Sequence, residues 1–360
     1  MLSTEHWRFA TTPPTSTAVF KRDPEDFVVT EDLGYALTEE GEHQFIWVEK
    51  TQANTAWVAE QLAKFTGLPL RNVSYAGRKD KYAVTRQWFG LHAPGKADFD
   101  FTSFAVPGVK VLSAHRHNKK LRTGQLKGNR FSITLRNLTE SDGFIKALNY
   151  VNKHGAPNYF GEQRFGQVRI DEQGQRMEGG NLQLGARMIA NEVIRNRNKR
   201  NMALSALRSW LFNEVLSQRI EQGLLDSVIP GDALMLSGSH SFFINTDNDP
   251  AFSDRYAERD LSPTAPLWGA GAPPTDQEAL ALEQAVASNH GPLAGFLEQT
   301  GMKQERRPIK IWPQQLEWQH KGDTVILSFS LPAGCYATTV LRECVTLISP
   351  AGPAQTQPTT

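Results

Sequence analysis

This 360-residue chain has only two cysteines, Cys335 and Cys344, and no Cys-x-x-Cys pair. That argues against a disulfide scaffold and against a cysteine-rich zinc site. Both cysteines sit in apolar surroundings and are expected to be small core residues. The nine histidines lack metal-ligand spacing, so no metal is expected. No Gly-x-x-x-x-Gly-Lys occurs, and no Gly-x-Gly-x-x-Gly follows a strand, so no nucleotide cofactor is implied. No apolar run approaches the roughly 18 residues of a membrane span, and the first residues carry no apolar signal core. A soluble cytoplasmic protein is the expectation. Net charge is +1, from 39 Lys and Arg against 38 Asp and Glu. Overall charge therefore says nothing about a polyanionic partner, and local clustering must carry that question.

What is present is concentrated in residues 73–90, VSYAGRKDKYAVTRQWFG. One carboxylate, Asp80, stands among Arg78, Lys79, Lys81 and Arg86, just after Gly77. Nearby cations favour the charged form of a carboxylate. The same cations offer a docking surface for phosphates. Lys-Asp-Lys alone fits a charged surface turn, but Tyr75, Tyr82, Trp88 and Phe89 are unusual company for a merely solvated one. No second carboxylate lies close in sequence, so no paired acid/base hydrolase is visible. Residues 115–130 hold six Lys or Arg and no Asp or Glu. They read either as a solvated loop or as an RNA contact. Residues 194–200, IRNRNKR, read either as an RNA contact or as favourable charge at a helix C-terminus. Residues 303–308 are a weaker basic cluster.

Strands are expected at 27–31, 44–49, 86–92, 131–135 and 324–330, with Phe131, Ile133 and Leu135 on one face and Val325, Leu327 and Phe329 on one face. A helix is expected after Asn54, with Val58, Leu62 and Phe65 on its buried side and Gly67 as its stop. Further helices are expected at 141–153, across 185–222 (two), at 277–288 and from about Tyr336. Residues 155–166 read as a loop, the proline-rich 249–275 as linker or irregular packing, and 349–360 as a disordered tail. Strand-rich segments thus bracket a helical middle. This is the pattern of an α/β domain carrying a mostly helical insert, with both flanks sharing one sheet.

Residues 77–87, GRKDKYAVTRQ, resemble the G-x-K-D-K-x-A-x-T-x-Q signature of the TruD family of tRNA pseudouridine synthases. Residues 157–166, PNYFGEQRFG, resemble its second signature. Lys21, residues 24–29 and 41–43, and Glu31 resemble its N-terminal pattern, and residues 331–343 its C-terminal one. The four motifs occur in order across nearly the whole chain. Small departures are Arg78, where an aliphatic residue is common, and Cys335, where serine is frequent.

The resemblance implies a cofactor-free isomerisation in which a uridine of tRNA, at position 13 in bacterial members, is detached at its N-glycosidic bond and rejoined through C5. It implies the largely antiparallel pseudouridine synthase sheet flanked by helices, from residues 1–154 and 304–348, with a TruD-specific insert at 155–303. It places the catalytic aspartate at Asp80 and implies a monomer whose partner is tRNA. Phe131 is the candidate to stack on the flipped uracil. Asn129 is the candidate to bond the uracil edge or orient Asp80. Phe27 and Phe329 read as pocket walls or as plain core. Lys21, Lys79 and Lys81 are expected to contact substrate. A cation must also be held against Asp80, with Lys79, Lys81 and Arg342 as candidates. Attack at C1′, attack at C6 and an elimination route stay open at this stage.

Overall fold

The computed structural model describes residues 2–171 and 173–350. The tail expected at 349–360 lies outside the described residues, except for Ser349 and Pro350. The chain forms two compact units: Pro14–Asn152, Pro313–Ala337 and Cys344–Thr360 in one, and Met1–Pro13, Lys153–Trp312 and Thr338–Glu343 in the other. The region 155–303 falls within the latter, which also draws on both flanks. Among the described residues no helix is long and apolar enough to cross a membrane.

The first unit is built on a ten-stranded sheet. Its main path runs Gln314–Lys321, Thr324–Pro332, Gly128–Arg136, Phe27–Asp32, Val84–His92, His43–Thr51, Val109–His117. Neighbours on this path are antiparallel, apart from the parallel pair Phe27–Asp32 and Val84–His92. Both flanks of the chain therefore share one sheet. Alternation decides which face is buried. Phe131 registers with Phe329, Ile133 with Leu327 and Leu135 with Val325, and all six are buried. Burying each such side chain is worth about 1.5–3 kcal/mol. At Gly128 an added Cβ would lie 2.3 Å from the Leu331 carbonyl oxygen, so only glycine permits this strand pair to start so close.

Helix Thr55–Thr66 covers the sheet face of Ile46, Val48, Phe89 and Leu91, with Val58 and Leu62 wholly buried. Gly67 ends it in the left-handed conformation, φ 66°. Asn54 occupies the N-cap position but makes no side-chain cap bond. Phe65, expected inside, is exposed; it sits at the margin of the apolar stripe, its ring 5.5 Å from Phe101 and 5.1 Å from Phe104. Helix Ser141–His154 buries Phe144, Leu148 and Val151.

The second unit contains helices Gly180–Ile189, Arg197–Glu221, Gln277–Asn289 and Gly291–Gln299, with a sheet ordered Phe242–Ile244, Ala233–Leu236, Leu261–Leu267, Glu305–Pro308. Two ion pairs are buried in it, Arg219–Asp232 and Arg306–Glu283, each at 2.6 Å. The stretch 249–275 is more regular than its prolines suggest, holding helix Ala251–Ala257 and strand Leu261–Leu267. That strand tolerates Pro263 and Pro266 because it pairs on one side up to Pro263 and on the other side from Thr264. Each half behaves as an edge, where a missing N–H costs no ladder bond. Cys344 is buried as expected, whereas Cys335 is only partly so.

Candidate active site

Residues 76–83 form no regular ladder, so side chains hold this loop in place. Thr55 Oγ1 accepts from the Lys79 backbone N–H at 3.0 Å and donates to Gln87 Oε1 at 2.9 Å. Gln87 Nε2 donates to the Gly77 carbonyl at 3.3 Å. Lys50 Nζ donates to the Asp80 carbonyl oxygen at 2.9 Å. The Lys79 ammonium pairs with the Glu31 carboxylate, which also accepts from the Trp88 backbone N–H at 2.9 Å. Burial pushes the Glu31 carboxyl above its ordinary range, against the pull of Lys79 and of that N–H. Gly77 has an ordinary φ, and an added Cβ would meet nothing closer than Lys79 Nζ at 4.0 Å. The fold itself does not demand a glycine there.

Asp80 is ion-paired with Lys21, and its Oδ1 accepts from the Tyr82 backbone N–H at 2.9 Å. Both side chains of the pair are about one-fifth exposed, Lys21 at 21% and Asp80 at 20%. The cation held against Asp80 is thus Lys21. Lys79 is spent on Glu31, and the Lys81 ammonium lies over the Tyr82 ring at 5.2 Å. Arg342 belongs to the other unit, where it pairs with Glu343 at 2.8 Å and stacks 3.7 Å from the Phe9 ring centre. Lys21 holds a left-handed backbone, φ 57°, a conformation costing of order 1–3 kcal/mol away from glycine.

Lys21 Nζ also lies 4.3 Å from the centre of the Phe27 ring. Phe27 is 6.1 Å from Phe131, and Phe131 is 5.6 Å from Phe329. Lys21, Phe27, Phe131 and Phe329 therefore form one row leading away from the Asp80 carboxylate. Phe329 is 1% exposed and backs Phe131, which is 6% exposed. Asn129 lies two residues along the same strand face, opposite Glu31. Its Oδ1 is buried without a hydrogen-bond partner among the described residues. The Asp80 loop is thus tied to the strand Phe27–Asp32 at two places, Phe27 through Lys21 and Glu31 through Lys79. Val29, midway, registers with Phe131. The carboxylate meets this row at its Lys21 end.

Arg86, grouped with Asp80 in the sequence, points to the opposite face of the sheet and pairs with Glu49 at 2.8 Å. Alternation requires this, because its neighbour Gln87 faces the loop. A cavity of about 620 Å³ also opens on that opposite face, lined by Trp47, Trp88, His115 and Arg130. Asp32 and Glu39 share its walls, so its charge does not favour a polyanion.

The run 115–130 ends one strand and enters the next. Its Leu121 is buried as an anchor, while Lys119, Lys120, Arg122 and Lys127 are exposed. Gly124 donates its backbone N–H to the Ala76 carbonyl at 2.8 Å, tying this cationic loop to the start of the Asp80 loop. In the second unit, Arg197, Lys199 and Arg200 open a helix instead of closing one, behind the N-cap Asn196. A helix N-terminus disfavours cations, so the stabilising reading of that run does not hold. The cluster at 303–308 is structural in part: Arg306 is the buried partner of Glu283, and Arg307 lies 4.1 Å from the Phe160 ring.

The family model described as tRNA pseudouridine synthase D (TruD) matches residues 5–193 and 190–344. A tRNA pseudouridine synthase D of Pseudoalteromonas atlantica is 50% identical over 351 residues, covering 97% of this chain and 99% of that protein. Relatives of the same name from Aeromonas hydrophila and Hydrogenovibrio crunogenus are 45% and 42% identical, covering 92% and 95% of this chain and 91% and 96% of their own. A crystal structure from Methanosarcina mazei, described as a candidate tRNA pseudouridine synthase D, superposes with a TM-score of 0.68 at 24% identity, covering 94% of this chain and 95% of that one. That likeness concerns the fold. With the family model spanning nearly the whole chain and relatives this similar over their full length, the chain belongs to the tRNA pseudouridine synthase D (TruD) family of isomerases.

Proposed function

We propose that this protein isomerises a uridine of tRNA, the one at position 13, to pseudouridine, with Asp80 as the catalytic nucleophile. The reaction is internally balanced. The N1–C1′ bond of the nucleoside breaks, a C5–C1′ bond forms, C5 loses a proton and N1 gains one. No oxidant or second substrate is required. The enzyme must withdraw the nucleoside from its stack, hold the detached uracil while it turns, and keep a carboxylate beside the reacting atoms. Extruding the nucleotide costs on the order of a few kcal/mol. Phosphate contacts and aromatic stacking, worth roughly 1–3 kcal/mol per base, offset that.

The observation that carries this reading is the Asp80–Lys21 pair set at the end of the Phe27–Phe131–Phe329 row. Among the described residues each Asp80 carboxylate oxygen has one partner, Lys21 or the Tyr82 N–H. An ionised carboxylate offers about four lone-pair directions, so some remain for the nucleoside. Asn129 brings an unused carboxamide oxygen to the same face, suited to a uracil N–H. The exposed cationic groups of Lys119, Lys120, Arg122 and Lys81 supply phosphate contacts near the loop.

Asp80→Asn tests it. Pseudouridine at position 13, read by chemical mapping, is expected to vanish while tRNA binding stays within a few-fold. Full activity in this variant would reject the reading. Release of free uracil by the wild type would point to a hydrolase instead.

A further inference from the structure

Lys50 belongs to none of the motifs above, yet its side chain reaches the main chain of residue 80 from below. It lies on strand His43–Thr51 and is wholly buried, among the largest fully buried side chains of the molecule. Its Nζ donates to the Asp80 carbonyl oxygen at 2.9 Å. We infer that Lys50 is a positioning residue of the isomerase: its buried amine fixes the peptide of Asp80, and through it the aim of the carboxylate at the nucleoside. This rests on the catalytic role proposed for Asp80.

Stability alone does not account for an amine in this place. Burying an ammonium carries a desolvation cost that an apolar chain of similar length avoids. That cost is visible in its proton affinity, which burial lowers to about 8, with Asp80 and Glu31 opposing the shift. Nor is the surrounding polar network completed by it. Thr85 stands directly opposite Lys50 on the neighbouring strand, and its hydroxyl is buried without a partner among the described residues.

The other tethers hold different atoms. Thr55 and Gln87 hold residues 79 and 77, while Lys21 and the Tyr82 N–H hold the Asp80 carboxylate. A carboxylate gripped at its tip but loose at its own peptide can rotate about the side chain. Lys50 removes that freedom. Misplacement of a reacting group by about 1 Å can cost on the order of 100-fold in rate.

The test is Lys50→Met and Lys50→Gln, each assayed on full-length tRNA for single-turnover pseudouridine formation, tRNA Kd and Tm, with Asp80→Asn alongside. Lys50→Met is expected to lose roughly 10- to 100-fold in rate, with Kd within about threefold and Tm no lower than wild type. Lys50→Gln, shorter but still a donor, is expected to fall between Met and wild type. A wild-type rate in Lys50→Met, or a Lys50→Gln rate no better than that of Met, overturns the proposal. So does a rate loss matched by loss of Tm or of tRNA affinity, which would mark a structural role. An inactive Asp80→Asn beside a fully active Lys50→Met overturns the positioning role alone; an active Asp80→Asn overturns the role of the aspartate, and this proposal with it.

Discussion

Glu31 and Asn129 stand directly opposite each other on adjacent antiparallel strands, and only one of them is satisfied. The Glu31 carboxylate is held by Lys79 and by the Trp88 N–H, whereas the Asn129 carboxamide oxygen has no partner among the described residues. A buried unmade bond costs about 1–3 kcal/mol. Asn129→Ala therefore loses no protein hydrogen bond at that atom, and its Tm is expected to match or exceed wild type. Pseudouridine formation is expected to fall about 10- to 100-fold, since a uracil N–H left buried without its acceptor costs on the order of 1–3 kcal/mol. Thermal melts paired with the mapping assay check both halves.

Lys21 is expected to matter through its charge and its reach. Lys21→Met leaves Asp80 without a cation in a partly buried setting and should lower kcat by roughly 100-fold or more, with tRNA affinity nearly unchanged. Removing one partner of a desolvated pair costs about 2–5 kcal/mol in comparable cases. Lys21→Arg is expected to recover part of the rate. Equal rates for Met and Arg would show that the charge is not what counts.

Two exposed cationic clusters predict the salt dependence of binding. Neutralising Lys119, Lys120 and Arg122, or Arg197, Lys199 and Arg200, should weaken tRNA binding uniformly across tRNA sequences. The slope of log K against log salt should flatten by roughly 0.7–0.9 for every phosphate that no longer meets a cation. Single-turnover rates at saturating tRNA should stay near wild type. An unchanged slope would remove that cluster from the RNA surface.

Lys50 also makes a pH prediction. Its folded-state pKa is lowered from 10.5 to about 8, chiefly by burial. Between those values the unfolded chain holds a proton that the folded chain has released, so stability rises with pH across that window. Below the lower value the unfavourable contribution has its full size, roughly 3 kcal/mol at about 1.4 per unit. Lys50→Met removes it. The unfolding free energies of the variant and the wild type should therefore converge as pH rises from about 8 to about 10.5. Urea titrations across that range check it: a gap that stayed constant would contradict the burial of the amine.

The buried pair Arg306–Glu283 should behave oppositely. Glu283→Ala leaves a guanidinium that is 1% exposed without its carboxylate, a change expected to cost about 3–5 kcal/mol. Denaturant unfolding of the full chain measures it.

The elements around Asp80 are legible in the sequence because their signals are local. Alternation at Phe131–Leu135 and Val325–Phe329 marks the buried face, and Gly67 marks a helix stop. The family motif at 77–87 points to Asp80, and the alternation at 325–329 points, 249 positions later, to Phe329 on the sheet beside it. The amines around Asp80 are not legible in the same way. Lys21 and Lys50 lie 59 and 30 residues from it, and nothing in their own neighbourhoods announces the contact. Arg86 is separable from the Asp80 group on local grounds, since adjacent strand residues face apart and Gln87 is the one that turns to the loop. The 194–200 run opens a helix where its charge suggested a helix end. Asn196 before the periodic stretch is the available sign, and it does cap the Lys199 N–H. Pro263 and Pro266 mask a central strand, because proline content alone does not reveal that each half of the strand is paired on one side only.

The pairing of Gly128–Arg136 with Thr324–Pro332 has a consequence for how the protein is made. The ribosome completes the first strand long before its neighbour exists. Across roughly 190 intervening residues, at about 5–20 residues per second, the delay is on the order of 10–40 s. Throughout it the nascent chain carries a ready strand margin with no mate. Premature termination anywhere in that interval would release a product able to stick to its own copies and unable to assemble the Phe131–Phe329 contact. Quality control during translation should therefore bear on the yield of this enzyme more heavily than the stability of the finished molecule suggests.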